Sequence, residues 1–233
     1  GGNISGAIET VRDVTERKRT EERLARSGAE LRIAAEIQQS VLPETIPDIR
    51  NFDVAARSVM AKEVGGDFFD VIPFEVVTLG QGRFGILIAD VSGKGVPAAL
   101  FMALSRIVVR VYALWHRDPA KVIHDANNII TIDSKAGMFV TLFYGYLNEA
   151  DRSLTYVNAG HNPPLVYRGA DAPFEELLPT GIFLGGLEDQ VYRQETVGIG
   201  PGEIAVLYTD GITESINAAE EMYGEDRLRE VIR

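Results

Sequence analysis

Hydrophobic and polar residues follow different patterns on the two sides of residue 50. Residues 15–42 are rich in Glu, Arg and Ala and contain no proline, which favours a helix. Two sets of positions with a spacing of seven form a weak heptad along it: Leu24, Leu31 and Gln38, and Ser27, Ala34 and Val41. The pattern therefore indicates either a solvated connecting helix or one half of a parallel dimer, ended by Pro43 and Pro47.

The first fourteen residues differ from this helix. Residues 1–14 begin with a glycine-rich turn and continue as a β-branched, alternating run. Alternation of this kind is typical of a strand. We expect one terminal strand here, without the rest of its sheet.

Beyond residue 50 the chain becomes a series of short apolar runs separated by turns. Strands are predicted at 52–60, 68–73, 83–91, 138–147, 153–158, 164–167, 190–197 and 203–209, and helices at 97–115 and 119–132. The first of these helices is apolar nearly all round, with Arg106 and Arg110 as a narrow polar stripe, so we expect it to be largely buried. Many strands with hairpin-like links and two central helices predict an α+β domain with layered antiparallel sheets.

Composition limits the possible partners and chemistry. A formal charge of −11 argues against nucleic-acid binding, which depends on basic residues that neutralise phosphates. No cysteine is present, which excludes disulfides and thiolate nucleophiles, and the three scattered histidines make an imidazole metal site improbable. No signal peptide or membrane-spanning stretch is predicted, so a cytoplasmic protein that does not contact membranes is expected.

Three aspartates lie at the ends of apolar runs. The segments FGILIAD (84–90) and IAVLYTD (204–210) each end in an aspartate before a glycine-containing turn, and Asp67 follows two glycines and opens the aromatic run FFDV. A carboxylate at the end of a buried strand is costly unless its charge is compensated, and no basic cluster lies near any of the three in sequence. Each aspartate could alternatively cap a turn.

Carboxylate oxygens without nitrogen or sulfur ligands are suited to Mg²⁺ or Mn²⁺. Two such ions could share a carboxylate and activate a water for in-line attack on phosphorus. The segment Gly93-Lys94-Gly95 is not a P-loop, and Ser92 is not in a nucleophile elbow, because neither has the flanking residues that those motifs require.

Six motifs in order resemble the RsbU/SpoIIE branch of the PPM phosphatases: EIQQSVLP (36–43), VGGDFFDV (64–71), ADVSGKGVPAAL (89–100), TLFYGYL (141–147), NAGHNPPL (158–165) and LYTDGITE (207–214). The resemblance implies an α-β-β-α sandwich with two Mn²⁺ or Mg²⁺ ions between the sheets. It implies that Asp67 is a ligand of one ion, that Asp90 bridges both, that Val91 contributes its backbone carbonyl, and that Asp210 is a ligand of the second ion. Substrates in this branch are typically phosphorylated STAS proteins of bacterial partner-switching.

A second resemblance concerns the N-terminus. Residues 6–24, GAIETVRDVTERKRTEERL, are similar to the last strand and exit helix of a PAS sensor domain. The implied organisation is a PAS-like strand at 1–14, a helical linker at 15–47 that forms a homodimer, and a phosphatase domain at 48–233. The family continues with a helix and a strand that carry another ligand of the second ion, whereas this sequence ends at Arg233, so the second site is expected to be weaker.

Two classes of function are compatible with these residues. The first is a metal-dependent protein serine/threonine phosphatase regulated through its N-terminal helix. The alternative is a catalytically silent docking or dimerisation module of the same fold. The three aspartates favour the enzyme, because a docking module has no use for uncompensated acids.

Overall fold

The computed structural model describes residues 4–60, 63–74, 82–134 and 137–233, without the side chains of 4–16 and Leu24. The helices are α1 (Ile4–Val41), α2 (Val96–Trp115), α3 (Pro119–Asp133), α4 (Asp210–Thr213) and α5 (Gly224–Ile232). The strands are β1 (Phe68–Phe74), β2 (Arg83–Val91), β3 (Val140–Asn148), β4 (Ser153–Ala159), β5 (Leu165–Tyr167), β6 (Glu175–Glu176), β7 (Glu195–Gly198) and β8 (Ile204–Val206).

The strands form two antiparallel sheets. The larger has the order β1-β2-β3-β4-β7 and the smaller the order β6-β5-β8. One core lies between the larger sheet and helices α2 and α3, and a second core, which includes Phe143, Tyr156 and Val166, lies between the two sheets. Helix α5 packs through Leu228 onto Leu165 and Tyr208 of the smaller-sheet region. The predicted α-β-β-α sandwich is confirmed.

The sequence suggests that the arginine stripe of helix α2 faces solvent, whereas in the structure this stripe faces the larger sheet. Its arginines point inward: Arg106 and Arg110 each approach the buried carboxylate of Asp70 on β1, at 2.8 Å. Its apolar side chains Leu100 and Trp115 are 68% and 78% exposed. Two guanidinium groups compensate the cost of burying Asp70, and the helix turns its arginine stripe toward the sheet for this reason.

Helix α2 is also long and apolar enough, by length and composition, to cross a membrane. The prediction that no segment meets this criterion is therefore wrong. The helix nevertheless packs on the larger sheet through a fully buried stripe that includes Met102 and Val109.

Helix α1 extends further toward the N-terminus than predicted. Residues 4–14, predicted as a strand, are helical, and residues 1–3 of that prediction lie outside the described part of the chain. No described strand pairs with this segment, and a helix satisfies its backbone groups internally. The membership of residues 1–14 in a PAS-like domain stays a prediction.

The predicted heptad positions of α1 are not all exposed for pairing with a second helix. Gln38 is only 5% exposed, and its side-chain amide forms hydrogen bonds with Gly65. Val41 packs against the core between the larger sheet and helices α2 and α3. Ser27 is exposed, and the side chain of Leu24 lies outside the described set. The C-terminal end of the heptad therefore contacts this chain's own domain, and dimerisation through α1 stays a prediction.

Other strand predictions differ at their ends. Residues 52–60 form no strand; only an isolated bridge joins Phe52 to Ile49. The strands predicted at 190–197 and 203–209 shorten to Glu195–Gly198 and Ile204–Val206. Apolar runs without a pairing neighbour stay extended but form no ladder, because a strand depends on its partner as well as on its own sequence.

Candidate functional site

The ladder of the larger sheet places two of the predicted aspartates side by side. Phe68 of β1 pairs with Ala89 of β2, so the preceding Asp67 and the following Asp90 lie at the next step. On the other side of β2, Asp90 is paired with Thr141 of β3. Because side chains alternate along a strand, Asp90 shares its face with Ile86 and Ile88, which pack in the core between the sheets. Its carboxylate therefore lies at the end of the inter-sheet cleft.

The smaller sheet brings the third aspartate to this cleft. After β8, Thr209 occupies the N-cap position of the short helix α4 without a side-chain capping bond, and Asp210 is the first residue of that helix. The Thr209 hydroxyl donates a hydrogen bond to Oδ2 of Asp67 at 2.5 Å. This bond joins the two sheets at the site, and it connects residues that are 142 positions apart.

The electrostatics of the site is dominated by repulsion among acids. The pKa of Asp90 is raised to about 8, first by burial, then by a hydrogen bond with Asp67 and by the charges of Asp67 and Asp210. The pKa of Asp210 is also raised, first by burial and then by the charges of Glu214 and Asp67, whereas Lys94 lowers it. Without a cation, Asp90 keeps its proton at neutral pH, in a hydrogen bond with Asp67.

A glycine leaves space beside this acidic pair. A Cβ atom at Gly66 would lie 2.8 Å from the backbone carbonyl oxygen of Val91 and 3.4 Å from Oδ1 of Asp90. The carbonyl of Val91 is therefore directed toward the same small space as the Asp90 carboxylate. Carboxylate and carbonyl oxygens around a space that a methyl group would fill are a donor set that fits Mg²⁺ or Mn²⁺.

The acids do not form a three-residue cage. Among the residues that the structure describes, no three Asp, Glu, His or Cys side chains are close enough to hold one ion together. The arrangement is a close pair, Asp67 and Asp90, with Asp210 in electrostatic contact. Such a layout suits ions that draw their remaining ligands from water and from a substrate.

Several residues at the site were not identified from sequence. Thr209 and Thr141 bond to Asp67 and to the Asp90 backbone, and His161 bonds to Thr141. Gln38 bonds in both directions to Gly65, two residues before Asp67. The available signal was their position inside or beside the six motifs, since each lies within a few residues of a chain reversal at the cleft.

The sequence and its relatives show the family. The profile of the Stage II sporulation protein E (SpoIIE) family matches residues 80–233. Phosphoserine phosphatase RsbU of Bacillus subtilis is 33% identical over 186 residues, which cover 80% of this chain and 54% of RsbU. Protein IcfG of Synechocystis is 30% identical over 230 residues, covering 87% of this chain and 35% of IcfG. The chain thus spans about half or less of the length of these curated relatives.

Solved structures agree on the architecture. The SiaA-PP2C domain of Pseudomonas aeruginosa has a TM-score of 0.68 at 22% identity, with 89% of this chain and 81% of that one covered. The RsbU and RsbW domains of Rv1364c from Mycobacterium tuberculosis have a TM-score of 0.55 at 26% identity, with 75% of this chain and 46% of that one covered. The profile match and the identity with RsbU, with a fold that agrees, identify the chain as a member of the SpoIIE family of PPM phosphatase domains.

Proposed function

We propose that this chain is a divalent-metal-dependent protein phosphatase that hydrolyses phosphoserine, or phosphothreonine, on a protein partner. The observation that carries the proposal is the pair Asp67 and Asp90, held at adjacent ladder positions although their negative charges repel. A fold gains no stability from such a pair, so a bound cation is the simplest reason for it. The relative RsbU is named a phosphoserine phosphatase.

Two Mn²⁺ or Mg²⁺ ions fit the donor set. Asp67, Asp90, the carbonyl of Val91 and Asp210 would hold them. When bound, the ions supply charge neutralisation for a phosphoryl group and activation of water. A related fold, RsbX, has been solved in complex with magnesium, at 19% identity and a TM-score of 0.51.

The chain's own residues orient the acids. The Thr209 hydroxyl fixes Oδ2 of Asp67, and Oδ1 of Asp90 lies beside the space at Gly66. Lys94 lies close enough to favour the ionised form of Asp210. Since the sequence has no cysteine, the reaction proceeds without a thiol phosphoenzyme.

The substrate we propose is a phosphorylated STAS protein of a partner-switching system. Its support is the family resemblance of the six motifs and the structure that joins RsbU and RsbW domains in Rv1364c. The protein is proposed to act in the cytoplasm.

Regulation is proposed to reach the site through α1. Gln38 Nε2 donates to the carbonyl of Gly65 at 2.5 Å, and Gly65 N–H donates back to Gln38 Oε1 at 3.1 Å. This bidentate contact joins the last turns of the helix to the segment that carries Gly66 and Asp67. A change in the packing of α1, through a sensor or a homodimer partner, would therefore move a metal-binding segment.

The direct test is Mn²⁺-dependent hydrolysis of a phosphoserine peptide by wild type and by Asp90→Asn. We expect the wild type to be active with Mn²⁺ and inactive with EDTA, and Asp90→Asn to lose at least ~100-fold of the rate. Because the substitution removes a repelling charge, the metal-free variant should unfold at the same or a higher temperature, by roughly 2–4 °C per kcal/mol gained.

The matched control for this test is Asp226→Asn, an exposed carboxylate on α5, which should keep wild-type activity. Hydrolysis that survives EDTA would contradict the metal dependence. A strongly destabilised metal-free Asp90→Asn would make Asp90 a structural residue instead, and a wild type that binds Mn²⁺ without hydrolysis would favour the silent docking module.

A second test fills the proposed ion space. Gly66→Ala places a methyl group 2.8 Å from the Val91 carbonyl oxygen, so we expect Mn²⁺ affinity, measured by calorimetry, to fall by at least ~10-fold. Gly65→Ala is the control, because its added Cβ meets only Met60 Cγ at 3.7 Å, an ordinary contact. Equal Mn²⁺ affinity in both variants would show that the space beside Gly66 holds no ion.

A third test separates α1 from the site. Gln38→Ala removes both bonds to Gly65, and we expect the Mn²⁺ concentration for half-maximal activity to rise about 3- to 10-fold, as the loss of one or two partly buried hydrogen bonds implies. Gln39→Ala changes the exposed neighbour and should have no effect. If both variants follow the same Mn²⁺ activation curve as wild type, α1 does not act through Gln38.

A further inference from the structure

His161 is a buried polar residue at the cleft to which the proposed reaction has so far assigned no role. The side chain is 2% exposed and follows the turn after β4, where Gly160 has a φ of 67°. Its backbone N–H donates to Oδ1 of Asn158 at 2.8 Å. Asn158 is itself fully buried and donates from Nδ2 to the carbonyl of Leu177 at 2.9 Å. The backbone of His161 is therefore held in place by contacts that do not involve the imidazole.

One ring nitrogen connects to the strand end that carries Asp90. The Nδ1 atom lies 2.9 Å from the Thr141 hydroxyl. Thr141 is the ladder partner of Asp90, and its hydroxyl lies 3.5 Å from the Asp90 carbonyl oxygen. If this hydroxyl donates to the Asp90 carbonyl, it accepts from Nδ1–H, which places the proton on Nδ1.

The other ring nitrogen faces the second half of the site. The Nε2 atom is buried and has no hydrogen-bond partner of ordinary geometry in the described part of the chain. Burial lowers the pKa of the imidazole. The charge of Asp67 and the backbone of Tyr208 also interact with the ring, and both have the smaller, opposite effect of raising its pKa. Tyr208 immediately precedes Thr209, the residue that bonds Asp67, and Asp210 follows it. The imidazole thus lies between the strand end of Asp90 and the segment of Asp210.

We propose that His161 is a positioning residue of the acidic site: through Thr141 it fixes the end of β2, against the segment that carries Thr209 and Asp210. Its proposed role rests on the proposed function, since the spacing that it sets is the spacing of the metal ligands. The imidazole acts through Thr141 and the backbone, and it is not itself a ligand.

A purely packing role accounts less well for these contacts. A residue that only filled this volume would need no polar atoms, and a buried imidazole nitrogen without a partner costs free energy relative to an apolar side chain. A hydrogen-bonded link to the end of β2, in contrast, requires a donor that reaches Thr141 from the turn after β4.

The test measures Mn²⁺ binding by titration, with the electron paramagnetic resonance signal of free Mn²⁺ as the readout. We expect His161→Leu to weaken binding about tenfold, the size associated with one buried hydrogen bond. His161→Asn should recover binding to within about threefold, because the Asn amide reaches the position of Nδ1. Thr141→Val should match His161→Leu, and the double variant should be no weaker than either single one, since both remove the same link.

Thermal unfolding without metal separates this role from a structural one. A packing residue would lower the unfolding temperature of His161→Leu and leave the Mn²⁺ affinity of the folded protein unchanged, which would overturn the proposal. Asn binding as weakly as Leu, with Thr141→Val like wild type, would overturn it too. Should His161→Leu not fold, the Asn and Thr141→Val variants carry the same comparison.

The readout also separates this proposal from the proposed function. If the wild type binds Mn²⁺ without hydrolysing the phosphoserine peptide, the function fails while the order of Mn²⁺ affinities still supports or overturns the role of His161. A wild type that binds no Mn²⁺ would overturn both.

Discussion

The site depends on the repulsion between two carboxylates that the ladder holds together. Asp67 and Asp90 directly flank the pair Phe68–Ala89 at the end of the β1–β2 ladder, which keeps the two residues close together. Burial and the neighbouring acids raise the pKa of Asp90 to about 8. In a metal-free protein at neutral pH the pair retains a proton that isolated aspartates would have lost, and a divalent cation can replace it.

The rest of the fold holds the two repelling carboxylates in place. The core between the sheets ends at the acidic pair, and the Thr209–Asp67 bond closes the cleft from the smaller sheet. Below β1, the buried carboxylate of Asp70 is compensated by Arg106 and Arg110 of α2. The same strand thus carries one acid that the protein neutralises with its own arginines, and is preceded by another that pairs with no arginine among the described residues. This contrast distinguishes a structural carboxylate from one available to an external cation.

The bounds of an element could be predicted where the local sequence pattern determines them. The apolar run before Asp90 gave the bounds of β2, 83–91, because a strand buried on both faces has an unbroken apolar pattern. The orientation of α2 could not be predicted in this way, since its arginines face inward only because Asp70 lies opposite them on β1. Residues 52–60 and 4–14 have strand-like composition, but whether such a segment pairs depends on a neighbour elsewhere in the chain. Thr209, Thr141 and His161 form contacts between segments that are distant in the sequence, and no local pattern reveals such contacts.

The central claim is that the Asp67–Asp90 repulsion is what a cation relieves, and thermal unfolding of wild type as a function of pH tests it most directly. The folded protein keeps the Asp90 proton up to a pKa of about 8, whereas the unfolded chain loses it near 4, so this group's contribution to stability falls as pH rises through that window. Compared with Asp90→Asn, metal-free wild type should therefore lose unfolding temperature between pH 5 and 8, and saturating Mn²⁺ should abolish that loss. Parallel curves for the two proteins without metal, or a loss that persists in Mn²⁺, would contradict the account.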